Sequence, residues 1–586
     1  MRILALLVLL ASVHAQQRVS NLTVSQREAD FRQLVGTFAK NYGPQAYKNP
    51  IFDILVLNGP KPNNWLERLR APNMTDYEFA DLLVEWISKL NDAHARIVFP
   101  SKWTAKLGFT VDFYNGKLIV DSKSLSSNVK PPIDIGDELI SLDGNTVEEW
   151  KTRLRPFSMR ANERSTNRLI AAQMMLRMQS LIPTAPDFTP NVSLIEFRRG
   201  GVLNRHEAVW TKTGEVMQFA PVFSSDSFQA PKIAIASEEQ LELDDDYDDQ
   251  FGSILKPHLQ AALPSELRTL LVLERPRLPM FGLPSNFRVR VGEGSADSFF
   301  YSGAFTTSTG LSIGYVRIPT FDTTALKDRK KSLDDFRIEM TKLERETAGV
   351  IIDVMHNPGG DLLFCQDLLS IVVPTQMDTV GFQIRATSSW VEYFDAAIAN
   401  STSVNRGDLQ WVLSQIKDAN QQKQGLTGVL PLTDTGTLKL NAVAKTINSG
   451  RTPKPLLVLT DDVSASAADF FPAVLKSNGK AKIAGIRTVG AGGNVRDYGG
   501  TTYTEANVSV TESLMVTGPH SGRTATAPPP ITSIIENNGV SPDYEIDFMT
   551  VENLLHPERK GKPFLDKVLR VMEECVIGKQ VCSARP

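Results

Sequence analysis

Cysteine is nearly absent, with three in 586 residues, and that excludes a small scaffold held together by disulfides. After the first fifteen residues no apolar run is long enough to cross a membrane as a helix. An excess of one charge is missing too. Lys and Arg number 63 against 66 Asp and Glu, a net charge of -3, and no basic stripe marks the chain for nucleic acid. Histidine is scarce at seven, so imidazole chemistry has few candidates. What is present is ordinary for a globular enzyme, with 42% hydrophobic and 22% charged residues. The length suggests three or four domains.

Residues 1–15, MRILALLVLLASVHA, have one Arg, an apolar core and a small-residue end, with Val13 and Ala15 fitting a cleavage site. That pattern predicts a secretory leader and an extracellular protein. Sequons at Asn21, Asn73, Asn191, Asn400 and Asn507 fit export, as acceptors in a eukaryotic host. Cys575 and Cys582 are a pair that could close a small C-terminal loop, whereas Cys365, on an apolar helical pattern, reads as a buried free thiol.

The stretch LLVLTDDVSASAADFFPAVLK, residues 456–476, carries the most chemistry. An apolar strand is followed by small residues and then a helical pattern, so Ser466 falls where a strand becomes a helix N-terminus. There a hydroxyl meets unpaired backbone N–H groups and the positive end of a helix dipole. Two readings stand at this point: a nucleophile, or a plain N-cap serine. If Ser466 does not attack, Ser464 is the next candidate. GVIIDVMHNPGGDLLFCQDLL, residues 349–369, repeats the strand–turn–helix plan. Its Gly359 and Gly360 can bring bare N–H groups to a developing oxyanion, as can Ala467. Upstream, IGYVRIPTF, residues 313–321, alternates as a strand.

In this order the three motifs resemble the tail-specific, or C-terminal-processing, serine peptidases, and the resemblance spans about residues 25 to 550. One departure matters. Where the bacterial members place a catalytic lysine, the run TVGAGG (488–493) has Ala491. The chain is more similar to the branch of the chlamydial protease-like activity factor and the Tricorn core protease, which uses histidine and glutamate. His94 in KLNDAHARIVF and Glu536 in IIENNGVSPDYEID match that branch. The resemblance implies a Ser466–His94–Glu536 triad and a spiral α/β catalytic core of the crotonase and Clp type.

Chemistry gives the triad independent sense. A serine hydroxyl attacks only when a base takes its proton, which imidazole does well near neutral pH, while a carboxylate fixes the imidazole's tautomer. His356, two residues before Pro358, is the rival base. Asp469, one turn after Ser466, reads as support for the helix start.

The rest of the chain divides around these motifs. Residues 16–102 read as a helical N-terminal region carrying His94, with capping-box patterns at Ser25/Glu28 and Thr75/Glu78. Residues 103–213 resemble a PDZ-like β domain through Lys106 to Phe109 and the run Ile133 to Val147. Residues 214–299 are an acidic and Pro-rich linker, with EEQLELDDDYDDQ (238–250) too charged to bury; a segment covering the active site before activation is its sharper reading. Residues 300–586 would be the catalytic domain, its first helix capped by Ser332. Together these predict a multidomain α/β protein acting as a secreted serine endopeptidase on proteins or peptides. It would need no metal or cofactor and contact neither nucleic acid nor membrane. Such cores commonly self-associate, which sets the expectation of a homodimer. The competing class is a binding protein without catalysis, since retinoid- and lipid-binding interphotoreceptor proteins use the same fold.

Overall fold

The structure, a computed structural model, describes residues 21–52, 64–123, 132–219, 278–292, 298–323, 326, 328–375, 377–399, 406–431, 454–518, 529 and 531–578. The leader, the acidic run 238–250, Asn400 and Cys582 lie outside the described residues.

Seven strands form the central sheet, in the order Arg288–Val291, Tyr301–Thr306, Ser312–Arg317, Gly349–Asp353, Leu456–Thr460, Lys482–Gly485 and Tyr544–Glu545. From Ser312–Arg317 onward neighbours pair in parallel. Gly349–Asp353 and Leu456–Thr460 are buried at every position. A parallel sheet covered on both faces requires this, and it is why both strands read as unbroken apolar runs. Side chains alternate across the sheet. Val350, Ile352 and Val458 pack with the helices Arg329–Glu346, Leu362–Val372 and Ala467–Ser477. Ile351, Leu457 and Leu459 face Phe564, Leu565, Val568 and Met572 of the helix Lys562–Val576.

The histidine-bearing region is not free-standing. The strand Arg96–Val98 pairs antiparallel with Asn507–Thr511, placing Ile97 opposite Val508. The helices Val24–Asn41 and Asp76–Ser88 share one core with Ala506, Val508 and Val510. Asp30 accepts the backbone N–H groups of Thr502, Tyr503 and Thr504. The turn that holds His94 is thereby fastened to residues 502–511 of the C-terminal half of the chain. A second module has an antiparallel sheet of Phe109–Tyr114, Lys117–Lys123, Glu138–Leu142, Val192–Arg199 and Val202–Val209, with Asn145–Thr146 at its side. The helices Val147–Ser158 and Glu163–Met175 bury Trp150, Leu154, Ile170 and Met174 against it.

Two helix starts differ from the sequence reading. The first helix is capped by Thr23, whose box partner is Gln26, rather than by Ser25 and Glu28. Thr23 has the extended backbone a cap requires, and a glutamine returns the hydrogen bond as well as a glutamate. In the helix Arg329–Glu346 the cap is Asp328, which accepts the Lys331 N–H; Ser332 lies within the first turn and donates back to the Asp328 carbonyl. The Thr75/Glu78 box is formed.

Candidate active site

The loops after three parallel strands converge at one edge of the sheet: residues 354–361 after Gly349–Asp353, 461–466 after Leu456–Thr460, and 486–494 after Lys482–Gly485. The carboxyl ends of parallel strands are where open α/β sheets place their ligands. Ser466 occupies the sharp junction there, with φ 60° and ψ −114°, immediately before the helix Ala467–Ser477. A left-handed, non-glycine residue is strained, and strain of this kind is held where the surroundings over-determine it. Asp469 supplies much of that hold. Its carboxylate accepts the Ser466 N–H at 2.8 Å and also those of Gly490 (2.9 Å) and Ala491 (3.0 Å). Burial raises its pKa to about 6, against the pull of those donors. Ala491 thus contributes its backbone to the support of Ser466. The Ala467 N–H heads that helix with no intrahelical acceptor.

His94 is fully buried, in the bend between the helix Asp76–Ser88 and the strand Arg96–Val98. Asp92 shapes the bend, its Oδ1 accepting the N–H groups of His94 (2.8 Å) and Ala95 (3.2 Å). Ala93 and Ala465, the residues before His94 and Ser466, pack in one small apolar cluster with Ala161, Val489 and Ala491. Both ring nitrogens of His94 are buried without a hydrogen-bond partner among the described residues. Burial lowers the imidazole pKa to about 4; Asp92 opposes the shift, and the cations of Arg160, Arg96 and Lys48 add to it. The ring is therefore neutral at physiological pH, the form a general base needs.

Glu536 is also fully buried. One carboxylate oxygen accepts the Gly492 N–H at 3.0 Å, and the other meets the Lys48 ammonium at 2.5 Å. Burial and the neighbouring Asp92 raise its pKa to about 7, against Lys48 and the Gly492 N–H. The next residue, Asn537, donates to the carbonyls of Asn91 (2.7 Å) and Ala161 (3.1 Å). The segments bearing His94, Ser466 and Glu536 thus meet in one place. Glu536, however, bonds to Lys48 and Gly492 rather than to the imidazole.

Comparison with known proteins agrees with this architecture. Residues 312–546 match the model of peptidase family S41. The domain is an S41 peptidase. The matched residues contain Ser466 and Glu536, with His94 upstream of them. An uncharacterised protein of Chlamydia muridarum is 24% identical over 98% of this chain and 97% of its own. A protein of Chlamydia trachomatis is also 24% identical, over 97% and 96%. Among solved structures, mature CPAF superposes with a TM-score of 0.67 at 22% identity, covering 96% of this chain and 99% of that one. CPAF complexed with lactacystin gives 0.69, also at 22% identity, over 95% and 99%. The fold is shared along nearly the whole chain.

In the S41 domain His356 is spoken for. An arginine can only donate, so His356 Nε2, at 2.8 Å from the Arg168 guanidinium, must accept. Nδ1 then carries the proton and faces the Asp461 carboxylate. Arg168, from the second module, also pairs with Asp112 (2.7 Å) and Asp462 (2.8 Å). Burial would raise the Asp461 carboxyl, but His356 and Arg168 hold it well below the usual carboxylate range. This network fastens the turn before Pro358 to the second module. Ser464 is likewise committed, donating to the Val354 carbonyl at 2.9 Å and accepting the Asp461 N–H.

Of the two turn glycines, Gly359 donates its N–H to Asn357 Oδ1 at 2.8 Å, and Gly360 forms a bridge with Phe321. Gly359 has φ 103°, and a Cβ there would lie 2.7 Å from both Ser466 Cβ and the Ala465 carbonyl oxygen. Gly359→Ala is therefore expected to displace Ser466 and lower kcat on the order of 10²-fold, the usual cost of a misplacement near 1 Å. Turnover of a fluorogenic peptide beside an unchanged circular dichroism spectrum checks it.

Four residues of the site escaped the sequence reading: Lys48, Asp92, Arg160 and Arg168. Asp92 had a signal, since an Asp two residues before a turn position commonly caps its own backbone. Lys48 and Arg168 had none, because a lone cation on a helix reads as solvated. Cys365 is free and buried, with its pKa pushed up by burial. Cys575 is disulfide-bonded. Asn21, Asn73, Asn191 and Asn507 are exposed.

Proposed function

We propose that the protein is a secreted serine endopeptidase in which Ser466 attacks a peptide carbonyl after His94 takes its proton. The N–H groups of Ala467 and Gly360 would stabilise the oxyanion, while the Gly359 N–H, expected from the sequence to join them, is held by Asn357 Oδ1. Glu536 acts as the carboxylate of the triad. An acyl-enzyme forms with loss of the amine, which takes the proton from the imidazolium; water, deprotonated by the same imidazole, releases the acid. One observation carries the reading. A fully buried imidazole with both nitrogens unsatisfied is costly unless it is used, and here it is packed through Ala93 against the residue before a strained serine. The exposed sequon asparagines support export, and we read residues 103–213 as a PDZ-like module bracing the catalytic loops.

A fluorophosphonate probe tests the mechanism directly. It is expected to modify the folded protein at Ser466 alone, identified by peptide mass spectrometry, and to label His94→Ala far more slowly. A protein left unlabelled, yet binding retinoid or lipid, would sink this reading and favour the binding-protein alternative.

A further inference from the structure

Lys48 is a fully buried cation that the serine–histidine chemistry does not use. It lies on the short helix Gln45–Phe52, and its side chain has no solvent exposure. An ammonium has three donors, and all three are engaged. Glu536 Oε1 lies at 2.5 Å, the Leu90 carbonyl at 3.0 Å and the Asn91 carbonyl at 3.1 Å, with Asp92 Oδ2 at 3.7 Å. Asp92 Oδ2 also accepts the Tyr42 hydroxyl at 2.9 Å, while Oδ1 shapes the bend at His94. One cation thus touches both the Glu536 carboxylate and the turn leading to the imidazole, segments from opposite ends of the chain.

Burying such a pair is a poor way to gain stability. The cost of removing both charges from water cancels much of their attraction, and an apolar pair of equal volume often serves as well. What an ion pair fixes is geometry and ionisation. Among the described residues the Glu536 carboxylate has one other hydrogen-bond donor, the Gly492 N–H, and it shares its surroundings with a second carboxylate, Asp92. Without a cation, two buried carboxylates side by side would retain a proton.

We infer that Lys48 is a positioning residue of the active site: its ammonium favours the ionised form of Glu536 over the protonated one and sets the distance between that carboxylate and the turn carrying His94. The inference rests on the triad reading above. Lys48 touches no reacting atom and acts through Glu536.

The test is a mutant cycle on the full chain, with kcat and KM followed against pH on a peptide substrate. Lys48→Met is expected to lower kcat by 10- to 100-fold with KM within about twofold. Its activity should recover on raising the pH, because the acid limb assigned to Glu536 moves up by a unit or more. On a Glu536→Gln background, Lys48→Met should cost almost nothing further. Lys48→Arg, which keeps the charge, should leave the limb where it is even if its bulk lowers the rate. Should Lys48→Met not fold, Lys48→Gln also removes the charge while keeping donors for the two carbonyls, and gives the same reading. An unshifted pH profile, or an equal loss on the Glu536→Gln background, overturns the inference and leaves Lys48 a structural tie. The two readings fail separately. If Glu536→Gln itself leaves kcat unchanged, the triad assignment fails and the role of Lys48 with it. If Glu536→Gln is impaired and Lys48→Met is not, only the inference about Lys48 is lost.

Discussion

Ser466→Ala is expected to lower kcat by roughly 10⁶-fold, leaving only what binding and the oxyanion donors supply. The fold should survive. The alanine keeps the backbone N–H that Asp469 accepts, and the site already packs small residues, Ala465, Ala467 and Ala468, each buried. The melting temperature should therefore stay within a few degrees (~3 °C) of the parent. Ser464→Ala gives the opposite pattern. Its hydroxyl holds the Val354 carbonyl and the Asp461 turn, so its loss should cost about 1–3 kcal/mol of stability while the folded enzyme still turns over. A Ser466→Ala protein that retains hydrolysis, beside a Ser464→Ala protein that loses it, would reassign the nucleophile.

The parts of this site legible in the sequence are those with a local rule. An apolar run broken by two aspartates and small residues fixes a strand, a turn and a helix, and so Ser466 was found at its junction. Gly359 and Gly360 were visible because only glycine permits such close approach; the structure adds that Gly359 is pressed against Ser466 itself. The apolar run at 456–459 marked a buried strand, and its parallel pairing with Gly349–Asp353 is what the structure adds. What was not legible is contact across the chain. That Arg96–Val98 pairs with Asn507–Thr511 is set by register between distant segments, and no local period reports it. Lys48 was unreadable for the same reason, since its partner is Glu536 and its burial comes from the assembled core. His356 shows the same limit from the other side. Beside the glycine turn it has every local mark of a base, and the arginine that occupies its Nε2 comes from another module.

His94 and His356 should separate cleanly under mutation. His94→Ala is expected to lower kcat on the order of 10⁴-fold or more, the usual cost of a triad base. His356 is better replaced by asparagine, which tolerates its φ of 57°. His356→Asn leaves Arg168 and Asp461 short of a partner in a buried network, so it should lower stability while kcat of the folded enzyme stays within about tenfold of the parent. The pH profile adds a second discriminant. The imidazole is held neutral down to about pH 4 and the Glu536 carboxyl keeps its proton up to about pH 7. In the proposed mechanism both groups work in their deprotonated forms, so kcat/KM should rise with pH in two steps, near 4 as His94 loses its proton and near 7 as Glu536 does. Glu536→Gln should erase the upper step and leave the lower. A single step near 6.5, the value of an exposed histidine, would mean that the base is not this buried imidazole, and a larger loss at His356 than at His94 would name the other one.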